Sequence, residues 1–376
     1  MKKNYMFTPG PTMVPQEVLL EEAAPMIHHR TDRFSAIMAE VNRGLQKLFG
    51  TEQTVFVIMG TGTAAMEAAV VNVCSPGDKV LYAPGGKFGE RWGAIAEAYG
   101  CRTVPLPVEW GESLAVDDAS AALAEHPDAK AMYVTHSETS TGALTDVRAI
   151  AALTRETDVL LGVDSITSIG VHPFELDEWG VDLAVSGSQK GCMVPPGLSF
   201  IAVSLRTWDA VEACESPTYY LDLKAMRKRA ADHQTPFTGA VSLVRGLRRA
   251  LQMMDEEGLQ AVFARHARLA RATRAAVKAL GLRLVADTPA NGVTAVYGPE
   301  GVNTGDLVNL MREKFGVTIA GGQADLKGKI FRVGHMGYVS EEDLLLCIGT
   351  LERALRELGY EFELGAGVQA VQEVLV

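Results

Sequence analysis

Cysteine is scarce and unpatterned in this 376-residue chain: Cys74, Cys101, Cys192, Cys214 and Cys347 are odd in number and never spaced C-x-x-C. That argues against a disulfide framework or a structural zinc site and favours a reducing compartment. Long uncharged apolar runs are missing too, and none approaches the ~18 residues that a membrane span needs. Pro9, Gly10 and Pro11 stop any apolar segment that would follow the N-terminal lysines in a signal peptide. The sequence therefore predicts a cytoplasmic protein. Basic blocks are also absent, and 35 Lys+Arg against 46 Asp+Glu leave a net charge of −11. Such acidity argues against nucleic acid or an anionic membrane as the main partner. No histidine has a second ligand at a convincing spacing, so no metal is expected, and His28, His29, His136 and His335 read as packing or loop residues.

What is present is a 47% hydrophobic share, ordinary for a globular chain, and a length that suggests two domains at roughly 100–200 residues each. Residues 1–15 read as an extended N-terminal arm, because Thr8-Pro9-Gly10-Pro11-Thr12 fits neither helix nor central strand. From Arg33 the chain alternates helical stripes (33–49, 64–73, 88–99, 147–157) with short apolar runs (55–59, 79–82, 131–134, 159–163, 183–185, 198–203). Strands apolar on both faces and separated by helices mean βαβ units. The prediction is an α/β domain over 16–245, a mostly parallel sheet with helices on both faces. A smaller α+β domain follows over 246–376. It opens on one long helical stretch from Ala240 through Arg274, carries strands near 282–285, 293–296 and 330–333, and ends on a helix over 341–358. Arg265, Arg268, Arg271 and Arg274 read as a solvated face. No role is assigned to residues 365–376.

In such sheets ligands sit where strand C-termini meet helix N-termini. Gly60-Thr61-Gly62-Thr63 lies at one such junction, where backbone N–H groups and the helix dipole favour an anion. It lacks the ending of a P-loop and the third glycine of a dinucleotide fingerprint, and a simple tight turn fits equally well. One apolar strand ends in Gly162-Val163-Asp164, where Asp164 is either a functional carboxylate or a turn cap. The next runs into Ser186-Gly187-Ser188-Gln189-Lys190. A lone loop lysine is usually solvated. An acid and a lysine delivered by neighbouring strands, beside a phosphate cradle, meet the needs of pyridoxal phosphate (PLP): an amine for its aldehyde, a carboxylate for its ring nitrogen and an anion site.

Ser-Gly-Ser-Gln-Lys190, with Pro-Pro-Gly197 after it and Val-Asp164-Ser before it, resembles the class V, fold type I PLP aminotransferases. The alanine–glyoxylate / serine–pyruvate group is the nearest branch, and the likeness runs from Pro9-Gly10-Pro11 to the last long helix. It implies that Lys190 forms the Schiff base and Asp164 meets the pyridinium. Thr61, Gly62, Thr63 and Gln189 would hold the phosphate. Phe88 would stack on the ring, where the alanine–glyoxylate branch usually carries Trp, and Thr139 would sit near the phenolic oxygen. Thr235 would reach the phosphate of the neighbouring subunit in a homodimer with a shared active site. Arg332 would grip the substrate carboxylate through a bidentate fork, which Lys cannot copy. Arg30 lies in a segment resembling one near the active-site entrance, and a surface ion pair explains it equally well.

The implied reaction is ping-pong transfer of an amino group from alanine or serine to glyoxylate or pyruvate. No second-cation site for a dicarboxylate is evident. Aminoethylphosphonate–pyruvate aminotransferases share the scaffold, as do cysteine desulfurases. The latter typically carry His where this chain has Gln189 and need a reactive loop cysteine. The physiological donor and acceptor, and assembly beyond a dimer, are not legible.

Overall fold

The computed structural model describes residues 3–376. Seven strands form the central sheet: β1 (Val55–Met59), β2 (Lys79–Tyr82), β3 (Arg102–Pro105), β4 (Ala131–Thr135), β5 (Leu160–Asp164), β6 (Leu183–Gly187) and β7 (Leu198–Val203). Their order is β1-β7-β6-β5-β4-β2-β3. β7 runs antiparallel to both neighbours, and the other pairings are parallel. The near-continuous burial of β4 to β7 is what helices on both faces require. One face packs on α1 (Asp32–Phe49), whose N-cap Thr31 accepts from Phe34 N–H and whose left-handed Gly50 ends it. The other packs on α2 (Gly62–Val71) and α3 (Lys87–Ala98).

The apolar stripe expected to run unbroken from Ala240 through Arg274 is two helices, α4 (Val241–Glu257) and α5 (Leu259–Ala279). Gly258, at φ +87°, leaves helical space between them. A four-stranded sheet follows, made of β8 (Arg283–Leu284), β9 (Val293–Tyr297), β10 (Ala320–Gly321) and β11 (Ile330–Gly334) in the order β8-β9-β11-β10. Helix α6 (Glu341–Glu357) covers it, opened by a reciprocal capping box between Ser340 and Asp343. Residues 365–376, without an expected role, contain α7 (Ala366–Leu375), tied to α6 because buried Glu352 accepts from the N–H groups of Gly365 and Val368. The arginines of α5 are in part the expected solvated face, with Arg268 and Arg271 exposed, but three of the four have partners. Arg265 pairs with Glu257, Arg268 with Glu341, and Arg274 donates to the carbonyl of Ala290.

The N-terminal arm crosses the molecule. Tyr5–Met6 pairs in parallel with Val317–Thr318, and Phe7 is buried in the apolar core of the smaller sheet. From there the chain passes Gly334, where a Cβ would meet the carbonyl of Thr8 at 2.3 Å, and reaches the edge at which the strands of the large sheet end. Among the described residues no helix is long and apolar enough to cross a membrane.

Candidate active site

The parallel strands deliver their last residues to one edge. Asp164 closes β5, Gly187 closes β6, and Lys190 follows three residues on. Asp164 is 3% exposed, and among the described residues its carboxylate has one hydrogen bond, from the Ile166 N–H, 2.9 Å from Oδ1. Burial raises this carboxyl to about 7; the charge of Glu138 adds to the rise, while Arg91 and Lys190 oppose it. The Nζ of Lys190 donates to the carbonyl of Pro9 at 2.8 Å. Burial lowers the amine to about 8, against the opposing pull of Asp164. Acid and amine thus both shift toward their uncharged forms, ready to exchange charge with a group placed between them.

Beside them α2 starts at Gly62. Its N-cap Thr61 is extended and makes no side-chain bond to the first turn; the Ala64 N–H meets the Thr61 carbonyl, whereas those of Gly62 and Thr63 have no partner within the helix. A Cβ on Gly62 would fall 2.4 Å from Ile166 Cδ1. One on Gly187 would lie 3.1 Å from Gln189 Oε1 and 3.5 Å from Gly62 N, so the Gln189 side chain stands next to the α2 N-terminus. Its Oε1 is buried without a partner. The hydroxyl of Thr63 accepts from Arg91 Nη1 at 3.0 Å, and the Arg91 guanidinium carbon lies 4.9 Å from the centre of the half-buried Phe88 ring.

Thr139 is buried, its hydroxyl 3.1 Å from that of Thr167. Thr167 spends its own proton on the Ser137 carbonyl at 2.8 Å, so Thr139 is the donor of the pair and its oxygen is free to accept. Thr139 does not cap the helix Val147–Thr154 that follows; Asp146 does. Arg332 comes from β11 in the other sheet. It is 6% exposed, and its neighbours are carbonyls: Nε and Nη2 donate to Gly321 O at 2.9 and 2.7 Å, and Nη1 to Thr139 O at 2.9 Å. One N–H on each terminal nitrogen stays free, which is a fork for a carboxylate. Burial lowers this guanidinium to about 10, and Glu138 opposes the shift.

Thr235 is not brought to this cluster within the chain. Its hydroxyl donates to Phe237 O at 2.7 Å. Among the described residues Arg30 forms no ion pair; it donates to Gln234 Oε1 and to the carbonyls of Thr235 and Pro236, clamping the loop that carries Thr235. The histidines divide: His136, His172, His266 and His335 are buried, whereas His29 is half-buried and His28 exposed.

Three features escaped the sequence. Glu138, 4% exposed, accepts from the N–H groups of Phe88 (3.1 Å), Gly89 (2.9 Å) and Ser140 (3.0 Å) and from the Ser140 hydroxyl (2.5 Å). Burial raises its carboxyl while the Ser140 bonds oppose the rise. It ties the start of α3, and hence Phe88, to the loop whose Thr139 carbonyl holds Arg332. Arg91 and the Pro9 carbonyl are the others. The available signal for Glu138 was an acid inside a run of small hydroxyl residues, Ser137 to Thr141.

The family model for class-V aminotransferases matches residues 4–344. The chain is 46% identical to the soluble hydrogenase, small subunit, of Synechococcus sp. (99% of this chain, 98% of the relative). It is 37% identical to the L-aspartate–glyoxylate aminotransferase of Paracoccus denitrificans (99% and 96%). To the serine–glyoxylate aminotransferase of Methylorubrum extorquens it is 35% identical (99% and 96%). The crystal structure of ureidoglycine–glyoxylate aminotransferase from Bacillus subtilis superposes with a TM-score of 0.94 at 32% identity, covering 100% of this chain and 98% of that one.

Proposed function

The chain belongs to the class-V aminotransferases, PLP enzymes of fold type I, and on that premise we propose that it moves an amino group from a small L-amino acid, alanine or serine, to glyoxylate or pyruvate. The observation that carries the reading is the convergence of Lys190 and Asp164 from one sheet with the free fork of Arg332 from the other. The residues present suit the cofactor. An amine close to its neutral form suits an aldehyde, and a buried carboxyl with an unmet acceptor suits a ring nitrogen. The unpartnered Gln189 Oε1 beside the uncapped start of α2 marks a place where something polar is to be met.

PLP, when bound, supplies an electron sink next to the substrate α-carbon. Lys190 would hold the aldehyde, and its amine, once free, would take the proton from the substrate α-carbon and give it back in the course of the exchange. An amine lowered to about 8 holds and releases a proton near neutral pH with little bias. Asp164, kept dry, presents its charge to the ring nitrogen. Arg332 fixes the carboxylate, so the bond to be broken is presented in one orientation. Thr61, Gly62, Thr63 and Gln189 would hold the phosphate, Phe88 would stack on the ring, and Thr139 would accept near the phenolic oxygen.

Glyoxylate as acceptor is supported by two relatives and a structural neighbour that are glyoxylate aminotransferases. A lyase using a cysteine nucleophile is disfavoured: Cys192, two residues past Lys190, is buried, and its thiol is pushed up to about 12. We also propose a homodimer that places Thr235 at the partner's phosphate. In support, Arg30 holds that loop rigid, and Tyr219 and Tyr220 stand exposed beside Phe237.

The test is a donor-by-acceptor matrix with alanine, serine, aspartate and 2-aminoethylphosphonate against glyoxylate and pyruvate. Alanine or serine with glyoxylate or pyruvate should lead, and initial-rate lines at varied donor and acceptor should be parallel. Intersecting lines, or a leading aspartate or phosphonate donor, would overturn the reading.

A further inference from the structure

Arg91 has no part in the roles assigned above, yet its position is unusual for a cation. It lies on α3 one turn after Phe88. Its guanidinium rests over the Phe88 ring and donates from Nη1 to the hydroxyl of Thr63, the second residue of α2. A helix N-terminus carries about half a positive charge, so a guanidinium held there adds like to like. Arg91 enters no ion pair among the described residues. The adjacent acid, Glu90, is turned away to Lys87 Nζ and Trp110 Nε1. Two positive ends thus converge on one spot, the first turn of α2, and among the described residues no carboxylate pairs with Arg91 there. The charge also reaches the reacting pair, since Arg91 opposes the rise of the Asp164 carboxyl and adds to the lowering of the Lys190 amine.

We propose that Arg91 is the cation of the anion cradle: held by Thr63 and the Phe88 ring, it neutralises the phosphate of the cofactor bound at the α2 N-terminus. This rests on the reading of the site as a PLP site. The arrangement also has a geometric economy. One side chain braces the ring that stacks on the cofactor and the turn that binds its phosphate, so removing it should affect phosphate and ring unequally.

The experiment separates the two. Apoprotein is titrated with PLP and with pyridoxal, which lacks the phosphate, for the parent, Arg91→Gln, Arg91→Met and Arg91→Lys. Charge-assisted hydrogen bonds of this kind correspond to roughly 10- to 100-fold in affinity. Arg91→Gln and Arg91→Met should weaken PLP by that factor and leave pyridoxal within about twofold. Arg91→Lys should recover most of the PLP affinity. Met keeps the apolar stem over Phe88, so it reports on charge if Gln disturbs folding. Equal weakening of PLP and pyridoxal would show a merely structural role and overturn the proposal, as would unchanged PLP affinity in both neutral variants. A parent protein that takes up neither compound would instead remove the PLP reading itself.

Discussion

The amine of Lys190 and the backbone carbonyl of Pro9 are 2.8 Å apart, although 181 positions separate them in the chain. The N-terminal arm thus lies directly on the reactive side chain. At Gly10 a Cβ would fall 2.0 Å from Lys190 Nζ and 2.6 Å from its Cδ, and φ there is +130°. The side chain has room to exist because that position has none.

Gly10→Ala should therefore displace the flexible end of Lys190 before it moves the sheet. The expected outcome is uptake of PLP slowed by about tenfold or more, with only about 1–2 kcal/mol lost from the unfolding free energy for the backbone change. Stopped-flow absorbance of PLP binding, set beside urea unfolding, checks it. Equal uptake rates in variant and parent would contradict it.

Glu138→Ala removes the acceptor for the backbone N–H groups of Phe88, Gly89 and Ser140 at once. Each buried donor left unmet costs about 1–3 kcal/mol. A loss of about 3 kcal/mol or more in chemical denaturation is expected, with Glu138→Gln milder because one oxygen remains to accept. A loss below about 0.5 kcal/mol would show that the carboxylate does not hold this corner.

Arg332→Lys keeps a cation but abolishes the fork. The kcat/KM for amino acid and for oxo acid should both fall by roughly 10- to 100-fold, while PLP affinity stays within about twofold. Steady-state kinetics and a PLP titration measure the two separately. A parallel loss of PLP affinity would place this arginine on the cofactor instead.

Four imidazoles make the fold sensitive to acid. Burial lowers His136, His266 and His335 to about 3 and His172 to about 4, from 6.5. Nε2 of His172 accepts from Asn291 N–H, and Nε2 of His266 from Gly337 N–H, so protonation would set donor against donor. With folded values below the unfolded one, the unfolded chain binds more protons, and stability present above about pH 6.5 is lost as pH falls through 6 and 5. Five carboxyls, Glu22, Glu138, Asp164, Glu175 and Asp182, are raised and act in the opposite sense, but of these Asp164 alone reaches about 7, whereas all four imidazoles fall to about 3 or 4. Urea unfolding at pH 7.5, 6 and 5 should show a steady decline; a flat profile would contradict it.

The alternation of apolar runs and helical stripes was legible because the strands of the large sheet other than β3 are largely buried on both faces; the edge strand β3, exposed at both its ends, gave no apolar run and was not read. Asp164 and Lys190 were legible because each follows such a strand directly. Glu138 and Arg91 were not: a carboxylate buried against backbone N–H groups and a guanidinium laid on an aromatic ring look, in sequence, like any surface charge. The break at Gly258 turns on one residue's backbone angle inside an otherwise unbroken stripe. Helix α7 is short and takes its stability from Glu352 and the packing of Val371, contacts that pattern alone does not reveal. Arg30 was read only locally, whereas its partners lie about two hundred residues away.

The account stands most directly on which amine binds the cofactor. PLP-loaded protein is reduced with borohydride, digested, and its peptides mapped by mass. The expected result is a single pyridoxyl-modified peptide carrying the mass increment on Lys190, absent when that residue is changed to Ala. Modification at another lysine, or none at all, would contradict it.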